Sequence, residues 1–144
     1  IATLITDLEL TPDNPLVQDY CGTCTKCIDA CPTQAILPDK TLQANQCISY
    51  FTIELKTPDL PESLSEKASN WVFGCDICQD VCPWNRFSKH HKHIELEAYK
   101  EILSFTINDW MQLEESSFNR IFRDSPMKRT KWKGMVRNLK LFQK

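Results

Sequence analysis

The sequence predicts an α+β chain in two parts: a cysteine-rich head over residues 1–86 and an all-helical, HEAT-like extension over residues 87–144. Three observations carry this reading. All eight cysteines fall between Cys21 and Cys82. Past Arg86 there is no cysteine, no glycine before Gly134, and the apolar spacing turns helical. Charge divides the same way, with four Lys/Arg against ten Asp/Glu in residues 1–72 and thirteen against nine in residues 73–144. A chain of 144 residues is one small domain with an extension. No apolar run approaches the ~20 residues needed to span a bilayer, so no membrane segment is expected.

Each element has its own signal. Ile1, Leu4, Ile5, Leu8 and Leu10 form a mixed apolar pattern that predicts a strand over 1–10, ended by the Pro12 to Pro15 turn. A short helix is expected over 26–31 and a brief strand over 35–37. Asn45 is placed to N-cap a helix over 47–55, although the β-branched residues there weaken helix propensity. Pro58 and Pro61 break the chain before a helix over 62–69, and another short helix covers 76–81. Helices then follow over 95–103, 107–113, 115–122 and 131–142. Thr106 caps one of them, Ser125-Pro126 marks a break, and their lengths suit a small helical-repeat packing.

The cysteine spacing carries the chemistry. Cys21, Cys24 and Cys27 recur at steps of three and can cap three corners of a cubane; Cys31-Pro32 follows four residues on. In bacterial two-cluster chains the fourth cysteine of such a run ligates the other cluster. An incomplete copy, Cys75, Cys78 and Cys82-Pro83, lacks its first cysteine, which would fall at Val72; Cys47 is the one left over. The crossed pattern gives Cys21, Cys24, Cys27 and Cys82 to one [4Fe-4S] cluster and Cys31, Cys47, Cys75 and Cys78 to a second. The head is therefore expected to be a bacterial two-[4Fe-4S] ferredoxin-like domain. Each proline lacks an N–H and turns the chain away just past its ligand. A disulfide framework suits secreted domains, and no signal peptide is visible. Structural zinc uses separated cysteine pairs, which this run does not offer. Thiolate-bound cubanes imply a reducing compartment, hence the cytoplasm.

The tail is basic. From Arg120 to Lys144, nine Lys/Arg face only Asp124, so an anionic partner is expected there. The cluttered KHHKH stretch with His90, His91 and His93 reads as a solvated loop, since nothing nearby completes a metal site. Trp84 and Phe73, flanking the second motif, are expected to shield the clusters.

Several stretches together, TDLEL, CGTCTKCIDACPTQAI, QCISYFTIEL, FGCDICQDVCPWNR and SPMKRTKWKGMVRN, resemble the C-terminal half of the epoxyqueuosine reductases over nearly the whole chain. The resemblance implies a monomeric oxidoreductase of tRNA queuosine biosynthesis. In it, the two clusters pass electrons to a cobalamin held by a preceding domain that this sequence lacks. It also implies an electron donor such as flavodoxin or ferredoxin and, as substrate, a tRNA anticodon stem-loop bearing epoxyqueuosine. No catalytic acid is expected in this chain. On that reading Lys128, Arg129, Lys131 and Arg137 contact tRNA phosphate, with Trp132 stacking or packing beside them. Ser49, Tyr50, Thr52 and Glu54, just past Cys47, either face the corrin or pack their polar groups locally. A free two-cluster ferredoxin is the competing function, but it needs neither the basic tail nor QCISYFTIEL. The relay half of another corrinoid enzyme, such as a reductive dehalogenase, lacks a use for that tail.

Overall fold

The structure is a computed structural model and describes residues 3–15, 18–68 and 71–142. Seven α-helices are defined among them: α1 Lys26–Ala30, α2 Glu62–Ser65, α3 Ile77–Asp80, α4 Lys100–Leu103, α5 Ile107–Met111, α6 Glu115–Ile121 and α7 Lys131–Leu139. Short 3-10 turns link several of them, and a π-helical turn spans Tyr50–Glu54.

The α+β expectation is not met among the described residues, where β pairing is confined to a single antiparallel bridge, Ile36 to Leu42. That bridge closes the turn expected to hold a strand at 35–37, with Lys40 at φ +66°. The strand expected over 1–10 is not formed in residues 3–10, and residues 1 and 2 lie outside the described residues. Its apolar residues do not alternate, so one face cannot bury them together; Leu4 and Ile5 are about nine-tenths exposed.

The helix expected over 47–55 is replaced by the π-helical turn, and Asn45 sits inside a 3-10 turn, Ala44–Gln46, rather than capping. The Thr52 hydroxyl donates to the Ile48 carbonyl at 2.8 Å, taking the acceptor that an α-helical N–H would use. The Leu55 N–H instead reaches back five residues to Tyr50 O at 2.9 Å. Of the helix expected over 95–103, a 3-10 turn Ile94–Leu96 and α4 remain. Thr106 does cap α5, in a reciprocal box with Asp109.

Two cores result. Phe118, Ile121 and Phe122 lie three and four apart on α6 and pack on Met135 and Leu139 of α7, with Val72 against them. Burying each phenyl ring is worth about 2 kcal/mol. The second core joins Ile48, Leu64 and Ala68 to Leu141, with Cys75 at its edge. Both cores draw residues from either side of Arg86, so the helical extension is packed into the head.

Candidate iron–sulfur centre and basic face

The first cysteine run is held open by local bonds. Gly22 adopts φ +52°, a conformation that costs glycine little, and Cys24 N–H closes on Cys21 O at 3.0 Å. Asp19 accepts the Cys21 N–H at 2.8 Å, and Lys40 Nζ donates to both Asp19 (3.2 Å) and the Gly22 carbonyl (2.9 Å). The Cys21 N–H first, then Lys40, hold the Asp19 carboxyl below its usual range. This brace leaves Cys21, Cys24 and Cys27 around a cavity of about 450 Å³ whose far wall includes Cys82, with Cys78 and Trp84 also lining it. Helices α1 and α3, one from each run, pack together, which brings Cys82 across. Trp84 is half exposed and meets Tyr20 edge-on at 6.1 Å.

The other four cysteines gather beside this cavity, with Cys78 at the boundary between the two groups. Burial first, then the neighbouring Cys47, Cys78 and Cys31, push the Cys75 thiol up. Burial likewise raises Cys78, with Cys47 and Cys31 adding to it. Cys31 is the exception: burial raises it, yet the Thr33 hydroxyl (3.6 Å) and the Ala35 N–H (3.3 Å) at its sulfur prevail, and its thiol is lowered. Donors aimed at a sulfur suit a thiolate bound to iron. Among the described residues no three His, Cys, Asp or Glu side chains converge closely enough to hold one metal ion. Cys21, Cys24, Cys27 and Cys82 line a volume instead, as a multi-atom cluster requires, and Cys31, Cys47, Cys75 and Cys78 are mutual neighbours, so the donor set fits two cubanes.

The chain just past Cys47 and just before Cys75 is held by a polar hub, of which the sequence pointed only to Thr52. Thr52 is fully buried; its hydroxyl accepts the Gly74 N–H at 3.0 Å, and Gly74, at φ +74°, immediately precedes Cys75. The Thr52 carbonyl accepts from Thr130 Oγ1 (2.8 Å) and Asn138 Nδ2 (2.7 Å), and Asn138 Nδ2 also reaches Val72 O at 2.7 Å. The available signal was spacing: Asn138 lies three residues from Met135 and beside Leu139, on the buried stripe of α7. Ser49 is half-buried at the N-cap of the π-helical turn with no side-chain cap bond. Of its neighbours, Thr52 is used in the hub and Glu54 pairs with Arg129.

The basic residues separate into two kinds. Lys128, Arg129 and Lys131 are exposed. Arg137 is not, and its expected phosphate contact is corrected: it is 5% exposed. Its Nη1 donates to Leu55 O (2.7 Å) and Thr57 O (3.0 Å), its Nη2 to Phe51 O (2.8 Å), and Nε and Nη2 both to Asn138 Oδ1. A guanidinium has five N–H donors, and all are engaged. Trp132 packs rather than stacks on a base, its indole N–H donating to Leu113 O at 2.9 Å. His90, His91 and His93 are exposed.

Residues 20–85 match the model of the 4Fe-4S double cluster binding domain. Fold and site thus define a double-cluster iron–sulfur protein. Over 139 residues the chain is 53% identical to the epoxyqueuosine reductase of Cyclobacterium marinum, covering 96% of this chain and 44% of that one. It matches the structure of the Bacillus subtilis epoxyqueuosine reductase with a TM-score of 0.79 at 36% identity, over 92% of this chain and 35% of that one. TM-score and identity are the same, 0.79 and 36%, for an epoxyqueuosine reductase solved with an epoxyqueuosine-modified tRNA-Tyr stem loop, over 92% of this chain and 34% of that one. By sequence and by fold the chain is homologous to the epoxyqueuosine reductases, and it spans less than half the length of the curated relatives it matches.

Proposed function

We propose that this chain is the electron-relay and substrate-binding part of an epoxyqueuosine reductase. Residues 1–86 hold the clusters, and the HEAT-like residues 87–144 supply a tRNA-facing surface. The observation that supports it is the pair of adjoining cysteine groups, each containing residues of both runs, with Cys78 between them. Cys21, Cys24, Cys27 and Cys82 hold one [4Fe-4S] cluster, and Cys31, Cys47, Cys75 and Cys78 the other. When bound, the clusters supply one-electron steps. Reducing an epoxide to an alkene consumes two electrons and two protons and releases water, so a relay delivering electrons singly to a cobalamin meets the demand. That cobalamin belongs to a domain outside this sequence, with Ser49 the residue of this chain assigned toward it.

The role of the chain's own residues is positional. Lys40 and Asp19 brace the first run, and the Thr52 hub sets the approach of Cys47 and Cys75. Thr33 and Ala35 donate toward Cys31. Lys128, Arg129 and Lys131 face the tRNA anticodon stem-loop. The full enzyme acts as a monomer in the cytoplasm, where a flavodoxin or ferredoxin donates electrons; no helix among the described residues is long and apolar enough to cross a membrane.

The test is anaerobic reconstitution of the full-length protein, followed by turnover on epoxyqueuosine-containing tRNA. About eight irons per chain and conversion to queuosine are expected. Colourless protein after reconstitution sinks the cluster assignment. A full complement of iron with electron transfer to many acceptors, but no affinity for the tRNA, favours a free ferredoxin instead.

A further inference from the structure

A cleft of about 460 Å³ runs between residues 55–58 and one face of α7. Four lysines line it: Lys56, Lys131, Lys133 and Lys140. None of the four forms an ion pair among the described residues, whereas Arg129 beside them is neutralised by Glu54. Lys56 uses two of its three N–H donors on the Ile53 (2.9 Å) and Arg129 (3.1 Å) carbonyls and keeps one for a ligand. Lys133 on α7 and Lys140 at its C-cap stand seven residues apart, about 10 Å along the helix axis. Between them Arg137 turns inward and is fully engaged, so it shapes the floor without offering a donor. Gly134 also lines the cleft, and a Cβ there would lie 2.6 Å from Thr130 Oγ1. Small size at this position lets Thr130 close the floor.

We propose that this cleft is a phosphodiester-binding groove in which Lys56, Lys131, Lys133 and Lys140 hold successive phosphates of an RNA strand. The proposal rests on the tRNA-facing reading and extends it to a built site with three lysines not previously assigned. Four ammonium groups in one cleft, none in a direct ion pair and only Lys56 within reach of a carboxylate, Glu54, favour a polyanion. No aromatic ring lines the groove to stack a base, and its two hydroxyl protons are spent inside the protein, Thr57 on Asp59 O and Thr130 on Thr52 O. Contact is therefore to backbone phosphate, which positions an RNA without selecting its sequence.

The test uses the full-length holoprotein and a tRNA anticodon stem-loop, with affinity measured between about 50 and 200 mM salt. Each lost phosphate contact shallows the log-log salt slope by about 0.7 to 0.9. K133A/K140A is expected to shallow the slope by about 1.4 to 1.8, while K89A/K92A, which does not line the cleft, leaves it unchanged. K133Q/K140Q must reproduce the result, which separates loss of charge from loss of helix. An unchanged slope in both double variants overturns the groove. If K128A/R129A still shallows the slope in that case, the tRNA face stands and only the groove falls; if neither does, the tRNA face falls too. Loss of affinity for an acidic carrier protein with an unchanged RNA slope also overturns the proposal, because the cleft is then a protein port.

Discussion

Arg137 shows how much one side chain's surroundings decide. Its charge and place in a basic run suggest a nucleic acid contact, but its five N–H donors meet the carbonyls of Phe51, Leu55 and Thr57 and the amide oxygen of Asn138. Burial lowers the pKa of the guanidinium without any carboxylate partner. Exchanging it for methionine strips a donor from four acceptors, three backbone carbonyls and the Asn138 amide oxygen, each costing up to about 1 kcal/mol where water cannot replace it. R137M is therefore expected to destabilise the holoprotein by about 3 kcal/mol, read by thermal unfolding, while the salt slope of RNA binding stays unchanged; a shallower slope would restore the phosphate role. Cys31 makes the same point at the cluster. A hydroxyl donor at its sulfur stabilises the more negative reduced state, so T33V is expected to lower the potential of one cluster only, read by redox titration.

The π-helical turn Tyr50–Glu54 shows what a segment inherits from its neighbours. Local propensity predicts an α-helix with some β-branched strain, and the sequence alone could go no further, because the agents that reshape it lie far along the chain. Thr130, Arg137 and Asn138 take up carbonyls that a helical ladder would have used. The valine variant of Thr52 keeps the shape but strands the Gly74 N–H, costing about 1 to 3 kcal/mol. T52V is expected to alter the electron paramagnetic resonance signal of the cluster bound by Cys75, and T52S to restore it; an unaltered signal would show that the hub supports the fold without positioning the ligand. The same turn carries Glu54, whose carboxyl is held low chiefly by its hydrogen bond to Arg129. A carboxyl lowered on folding contributes stability above its ordinary value of 4.5 and loses it as pH falls through the lower folded value. E54Q should therefore lower Tm slightly at neutral pH, the loss being small because the pair is exposed, and the two proteins should converge as pH falls below about 4.5.

At the scale of the whole molecule, the cysteine spacing was the most legible feature, because ligand geometry depends on short steps such as Cys21 to Cys24. The positions of α1, α3, α5 and α6 were also close to the expectation, since capping and apolar period are local. The packing of α7 was hidden: the interior role of Asn138 depends on Thr52 and Val72, 86 and 66 residues away. The strand over 1–10 failed for the related reason that a strand needs a partner the pattern cannot name. Interlacing is the global feature with the sharpest consequence. If each run bound its own cluster, C82A would damage the cluster of Cys75 and Cys78. With crossed ligands, C82A instead perturbs the cluster of Cys21, Cys24 and Cys27, while C47A perturbs the one beside the Thr52 hub. Each variant should retain about four irons, and their resonance signals should be complementary, C82A matching C21A and C31A matching C47A. If both runs serve both clusters, as proposed, chelating the iron should also unfold the head cooperatively rather than one motif at a time. C82A grouping spectrally with C78A would show that the runs are not interlaced.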